Sequence, residues 1–273
     1  MSARALIGRL AFYLFTLVVG VFFALPLLWL LSAPFDADPT LSVAVPSFTL
    51  ANFAAVFDNP FVATSLRNSI ILALGTMALV VASASLCSYA LSRVRLPGRD
   101  LLLYVLLLFS SVVSGTAAMV PLFQLVNRLG LIDTHVGVVL VLTGGLLPAG
   151  IFILKDFMDS IPASYEEFAR VAGASSLQTL RDVVLPIARP GLAVVAVWAI
   201  VNVWGDFLIP FILLRSPGKA PAAVVMFNFY TEGGQANLRL ISAYSFLYSI
   251  PVVVMYLFVN RRYGFRFYGG IKR

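Results

Sequence analysis

The sequence predicts an all-α polytopic membrane protein with six transmembrane helices and both termini in the cytoplasm. Three observations carry this expectation. The 273 residues are 60% hydrophobic and 11% charged, with a mean hydropathy of +0.96, whereas soluble domains carry about 25% charged residues. Six stretches approach the roughly 20 apolar residues that a helix needs to cross a bilayer. They are about 9–33, 67–92, 101–126, 136–156, 190–214 and 239–260. Finally, Lys and Arg collect at alternate ends of these stretches, as the positive-inside rule requires. With the N-terminus inside, fourteen of the 19 basic residues are cytoplasmic, leaving Arg67, Arg128, Arg215, Lys219 and Arg239 at or near the outer face. The net charge of +7 is therefore topological and does not point to nucleic acid.

Taken in order, residues 1–66 form a first transmembrane helix and an outer loop. The opening "MSARALIGRLAFYLF" has the basic flank of a signal peptide, but its apolar run is too long for an h-region and no small-residue cleavage pattern follows. It reads as a retained span. The segment from about Pro34 to Thr64 reads as a loop with short helical pieces. Residues 67–260 form a five-helix core. Its second span is dense in small residues (Ala78, Ala82, Ser83, Ser85, Cys87) that let helices approach closely. Cys87 is the only cysteine, which excludes an intrachain disulfide and a Cys-based metal site; it reads as a packing residue. "RVRLPGRD" (93–100) is a tight inner turn broken by Pro97-Gly98. An inner loop spans about 157–189, a second substantial outer loop spans 215–238, and residues 261–273 form a basic inner tail.

Polar residues inside spans are the candidates for a translocation path. Ser110 and Ser114 lie four apart on one face of the third span, and Asn202 and Asp206 four apart on one face of the fifth. For the serines, helix packing and a polar stripe along a path both fit. A carboxylate in a membrane is costly and faces protein or water, so Asp206 is read either as a capping or pairing residue or as substrate-facing. In the outer loop, "NFYTEGGQAN" offers Tyr230, Gly233, Gly234, Gln235 and Asn237, which read as an ordinary exposed turn or as groups that contact a binding protein.

The inner loop is the most informative stretch. In "EEFARVAGASSLQTLRDVVLPIARP" (166–190), Ser164 and Glu167 match a capping box, and Glu166 and Glu167 sit at the positive end of the helix dipole. Glu166 and Arg170 can pair at i, i+4. Phe168, Val171 and Ala172 offer an apolar patch, and Gly173 suits the left-handed position that ends a helix. Ser175 or Ser176 restarts a second helix with Leu177, Leu180 and Val184 on one side, ended by Leu185-Pro186. A helix lying on the inner leaflet is the competing reading. The acidic first turn argues against it, since anionic lipid repels it. A protein partner fits better.

This stretch resembles the EAA loop of ABC importer permeases, whose pattern is Glu-Ala-Ala, three residues, Gly, then a later Leu-Pro. Glu167, Ala169, Gly173, Leu185 and Pro186 match. Phe168 replaces the usual second-position Ala, and Ala172 the Asp usual in the sugar branch. "WGDFLIP" (204–210) is similar to the Trp-Asn-Asp-Phe-Leu-Trp-Pro run of the carbohydrate branch, and the ending "RRYGFRFYGGIKR" resembles that branch's closing segment loosely. The best match is to MalG-like permease subunits of carbohydrate ABC importers.

The resemblance implies a type I ABC importer permease fold in a prokaryotic cytoplasmic membrane. It implies a second homologous permease, two cytoplasmic ATPase subunits that bind ATP and magnesium, and an extracytoplasmic sugar-binding protein. It makes Glu166, Glu167, Ala169, Arg170, Gly173, Leu185 and Pro186 the coupling residues: the loop's short helix sits in an ATPase cleft, and closure of the ATPase dimer rotates the permease from inward-open to outward-open. The sequence has no G-x-x-x-x-G-K-[ST] phosphate loop, so the chain is expected to be non-catalytic and to need no cofactor of its own. A proton- or ion-coupled transporter is disfavoured because Asp206 is the only evident intramembrane carboxylate. A membrane enzyme is disfavoured because lone His135 has no metal-ligand partners at suitable spacing and no hydrolase motif is present.

Overall fold

The computed structural model describes residues 3–94, 97–113, 116–231 and 236–263, and among these every regular element is helical. The helices are α1 (Ala3–Ser32), α2 (Ala51–Asp58), α3 (Val62–Arg93), α4 (Arg99–Val113), α5 (Met119–Arg128), α6 (His135–Asp159), α7 (Ser164–Val171), α8 (Ser176–Ile187), α9 (Arg189–Gly205), α10 (Leu208–Leu213), α11 (Ala222–Thr231) and α12 (Leu238–Tyr263). The chain divides into two compact units: Met1–Val62 with Val225–Pro251, and Ala63–Val224 with Val252–Arg273.

In the first unit, the stretch Ile7–Phe35 is predominantly apolar, and its most apolar 18-residue window has no buried residue. Its 29 residues span about 43 Å at 1.5 Å per residue, enough to cross a bilayer with tilt. The loop after it is short helical pieces, as expected. Buried Asn52 donates to the carbonyls of Pro34 (3.1 Å) and Asp36 (2.6 Å), satisfying a turn that apolar side chains could not. Phe35, Phe53 and Phe246 form an aromatic triangle with centroids 5.3–6.0 Å apart, and Arg239 pairs with Asp38. Asn237 accepts from the Leu240 amide at 3.2 Å and so caps α12.

In the second unit, α3 and α6 run in the same direction and meet through small residues. A side chain at Gly75 would touch Val139, and one at Gly150 would crowd Val80 at 3.1 Å and Ala84. Gly75, Ala84 and Gly150 therefore make the close approach. Of the residues expected to do so, Ser85 is buried, whereas Ala78, Ala82 and Cys87 are exposed. Val80, Leu154, Met158, Val184 and Val195 fill the core between them.

Two expected spans are broken. The third, 101–126, is not one helix: α4 stops at Val113, and after a 3-10 turn at Thr116–Ala118 the chain restarts as α5. Pro121 has no N–H for the Ala117 carbonyl, and its ring would clash there in a continuous helix. The fifth, 190–214, parts into α9 and α10 at Asp206-Phe207. Pro210 stands in the same relation to Asp206, whose backbone is extended. Among the described residues, four single helices are long and apolar enough to cross a membrane, and a fifth only if Ser176–Ile187 and Arg189–Gly205, bent by 79°, are taken together.

A tight approach occurs at Gly191, where a β-carbon would lie 2.5 Å from the Phe157 ring. Gly191→Val is expected to cost about 1–3 kcal/mol by overpacking. Gly205→Ala, with no atom within 4 Å of the added carbon, should be neutral or slightly stabilising. Thermal unfolding midpoints in detergent check the contrast.

Candidate functional site

The helical hairpin expected from the sequence is α7, a turn and α8. Gly173 takes a left-handed φ of +88°. Its amide donates to the Arg170 carbonyl at 2.9 Å while the Ala174 amide reaches the Ala169 carbonyl at 3.0 Å. This double closure is the Schellman ending of a helix. The second helix starts on a reciprocal capping box: the Ser175 hydroxyl accepts from the Gln178 amide at 3.3 Å, and the Gln178 side chain accepts from the Ser175 amide at 2.8 Å. The S-x-x-Q spacing is legible in the sequence.

Four local expectations need correction. Ser164 does not cap α7. Ala163 is already helical, and its carbonyl accepts from the Glu166 and Glu167 amides at 3.0 Å, so Ser164 is a first-turn residue with no side-chain cap bond. Leu177 does not share the buried side of Leu180 and Val184; it is 68% exposed. Leu185-Pro186 does not end the second helix, which absorbs the proline through a π turn at Leu180–Val184 and runs to Ile187. The sharp bend comes at Ala188, where Pro190 cannot bond the Pro186 carbonyl.

The fourth correction is Glu166. It is 1% exposed: the expected i, i+4 pair with Arg170 forms, at 4.0 Å, but from a buried carboxylate and as the longest of its contacts. Its Oε1 accepts from Arg93 Nε at 2.5 Å and its Oε2 from the Tyr89 hydroxyl at 3.0 Å, while Arg170 stands at 4.0 Å. The rest of the Arg93 fork donates to the Ile161 carbonyl (3.2 Å) and to Ser92 (2.9 Å). Ser92 donates in turn to Asp159, which also holds Lys155, each at 2.5 Å. Glu167 points outward beside Phe168 (78% exposed) and Val171 (89% exposed), three residues apart on one face. Ala169 is buried and Arg170 exposed; Leu185 and Pro186 are half-buried. The hairpin thus has an anchored inner side and an outer side that is apolar and acidic.

Asn202 and Asp206 line one cavity of about 150 Å³ with Val141, Leu142, Gly145, Leu146 and Ile209. Asp206 Oδ1 accepts from the Ile209 amide at 3.0 Å and Asn202 donates to the Trp198 carbonyl at 2.8 Å. Asp206 is therefore a capping residue at the wall of the cavity. Ser110 belongs to α4, but its side chain lies outside the described residues, as do Ser114, Gly233, Gly234 and Gln235. Tyr230 is half-exposed near the end of α11. Among the described residues no cluster of His, Cys, Asp or Glu could hold a metal. His135 Nε2 lies 3.1 Å from the Lys219 carbonyl.

One cluster escaped sequence reasoning. Asp133, at a left-handed φ of +57°, clasps the outer loop. Its Oδ1 accepts from the Arg215 and Ser216 amides at 3.0 Å, and its Oδ2 from the Ser216 hydroxyl (2.6 Å) and Lys219 (2.9 Å). Asn68 holds the Gly218 and Ala220 carbonyls, and Ser69 the Ala222 amide. The signal was an acidic residue in the short loop "LIDTH", a position that favours Asp in the left-handed region.

Residues 99–265 match the family model of the binding-protein-dependent transport system inner membrane component, and the chain belongs to that family. It is 29% identical over 265 residues to the maltodextrin transport system permease protein MdxG of Bacillus subtilis, covering 96% of this chain and 95% of that one. It is 32% identical over 252 residues to the trehalose transport system permease protein SugB of Mycobacterium tuberculosis, covering 90% and 91%. The fold is similar to that of a bacterial ABC transporter involved in the import of the acidic polysaccharide alginate, with a TM-score of 0.80 at 21% identity over 96% of this chain and 99% of that one.

Hydrogen bonds from the Ser216 hydroxyl and amide, and then from Lys219, hold the Asp133 carboxyl well below the usual carboxylate range. A depressed pKa contributes stability that is complete above the unfolded value, about 3.9, and is lost as pH falls below it. The outer clasp should therefore loosen below about pH 4. Asp133→Asn should remove that dependence. Amide exchange at Arg215 and Ser216, corrected for intrinsic rates, checks both.

Proposed function

We propose that this chain is the permease subunit of an ATP-driven, binding-protein-dependent sugar importer. It is a non-catalytic component of the cytoplasmic membrane that forms half of a translocation pathway. A second, homologous permease supplies the other half. Two cytoplasmic ATPase subunits bind and hydrolyse ATP with magnesium, and an extracytoplasmic sugar-binding protein delivers the cargo. The relatives' names speak for a carbohydrate: they are permeases of maltodextrin, galactooligosaccharide and trehalose systems.

The observation that carries this reading is the hairpin. Phe168, Val171 and Glu167 are exposed on a short helix whose opposite side is tied down by Glu166. A rigid body with an apolar, acidic outer edge suits docking into a protein cleft and transmits rigid-body motion. The topology that follows is six crossings with both termini inside, in the type I ABC importer permease fold. The third crossing is α4 with α5 and the fifth is α9 with α10. Broken helices are tolerated where neighbouring protein or water satisfies the freed backbone. Asn202 and Asp206, on their shared cavity, are the candidates for the path, with Ser110 and Ser114 on the third crossing. The loop bearing Tyr230, Gly233, Gly234, Gln235 and Asn237 is the candidate for binding-protein contact.

The test uses the tagged chain co-expressed with its neighbouring transport subunits. Glu167→Lys reverses the outer charge. Gly173→Val forces a β-branched residue into the left-handed region at a cost of about 1–2 kcal/mol. Each should reduce the ATPase recovered with the chain by roughly tenfold, a loss of about 1.4 kcal/mol in binding. Undiminished recovery with both changes present would remove the docking role.

A further inference from the structure

We propose that Glu166 is a strut rather than a docking residue: with Arg93 and Tyr89 it locks α7 to α3, and through Ser92 and Asp159 to α6, so that all three move as one body. The inference deepens the coupling role proposed for the hairpin and rests on it. At 1% exposure no partner protein can reach Glu166. Arg93 and Tyr89 each claim one of its oxygens.

Arg93 is the hub. Its planar fork makes three bonds in fixed directions: to Glu166 within α7, to the Ile161 carbonyl just before α7, and to its own neighbour Ser92. Ser92 carries the connection to Asp159 at the inner end of α6, where Lys155 closes it. Apolar contacts at this position would allow one helix to slide over another, whereas charge-assisted bonds in several directions resist both sliding and rotation. A buried ion pair is a poor source of net stability compared with an apolar replacement, and its better-attested use is to fix register. Here the register fixed is that between a surface hairpin and the inner ends of two membrane-crossing helices. Arg93 and Tyr89 are thus positioning residues for coupling.

Cys87 is the only cysteine and is exposed on α3, so one substitution, Ser164→Cys at the exposed start of α7, gives a pair for nitroxide labels. Pulsed EPR on the full chain in phosphatidylcholine nanodiscs should give one narrow distance between labels at positions 87 and 164. Arg93→Ala and Glu166→Ala should each widen it about twofold, and the double variant should be no wider than either single, because two residues acting as one link are not additive. Tyr89→Phe, which keeps the ring, and Arg93→Lys, which keeps the charge, should widen it less and guard against misfolding of the alanine variants. In the assembled transporter the native distance should be the same without nucleotide and after trapping with ATP and vanadate. In Arg93→Ala it should become nucleotide-dependent while the ATPase stays bound, since Glu167, Phe168 and Val171 are intact. A narrow, nucleotide-independent distance in a folded Arg93→Ala chain overturns the strut, as does a double variant whose widening is the sum of the singles. The nanodisc measurement needs no ATPase, so failure of the strut and failure of ATPase docking are read separately.

Discussion

The buried ion pair between Glu166 and Arg93 is the constraint on which the helical hairpin and its surroundings depend. Taking a carboxylate out of water is expensive, and removing one partner of a buried pair typically costs about 3–5 kcal/mol. The chain offsets this by giving the carboxylate a guanidinium and a phenol at once, 2.5 and 3.0 Å away. Because Glu166 faces inward, its helical neighbours Glu167 and Phe168 must face outward. The orientation of the exposed edge is thus set from the buried side, and the Schellman closure at Gly173 and the capping box at Ser175 hold the second helix against the first.

In the membrane-crossing part, some prolines break their helix and others do not. Pro26, Pro148 and Pro251 sit inside continuous helices. The breaks fall before Pro121, Pro190 and Pro210, each with a further feature nearby. Serine and glycine precede the first, a second proline stands four residues before Pro190, and Gly205 and Asp206 precede the third. At Asp206 the side chain itself accepts the Ile209 amide. That bond satisfies one of the amides freed where Pro210 parts the fifth span.

Much of this was legible in the sequence, because it rests on local chemistry. The long apolar runs, the hairpin, the left-handed Gly173 and the restart at Ser175 each need only a few neighbouring residues to be read. What was not legible depends on distant partners. Glu166 and Glu167 are indistinguishable as a pair of first-turn acids; only Arg93 and Tyr89, more than 70 residues earlier, decide which one turns inward. The Asp133 clasp is similar, since its partners Arg215, Ser216 and Lys219 lie more than 80 residues later. The third and fifth spans were read as continuous because hydropathy sums over a window and does not register one missing amide.

The central claim is that the exposed edge of α7 meets an ATPase. A photo-crosslinking amino acid placed at Phe168, in cells expressing the complete transport system, tests it in the native membrane. Irradiation should give one major adduct to a protein carrying a G-x-x-x-x-G-K-[ST] phosphate loop, and the same probe at buried Leu180 should give none. Adducts to lipid alone, or to no protein, would contradict the account and return the hairpin to the inner leaflet.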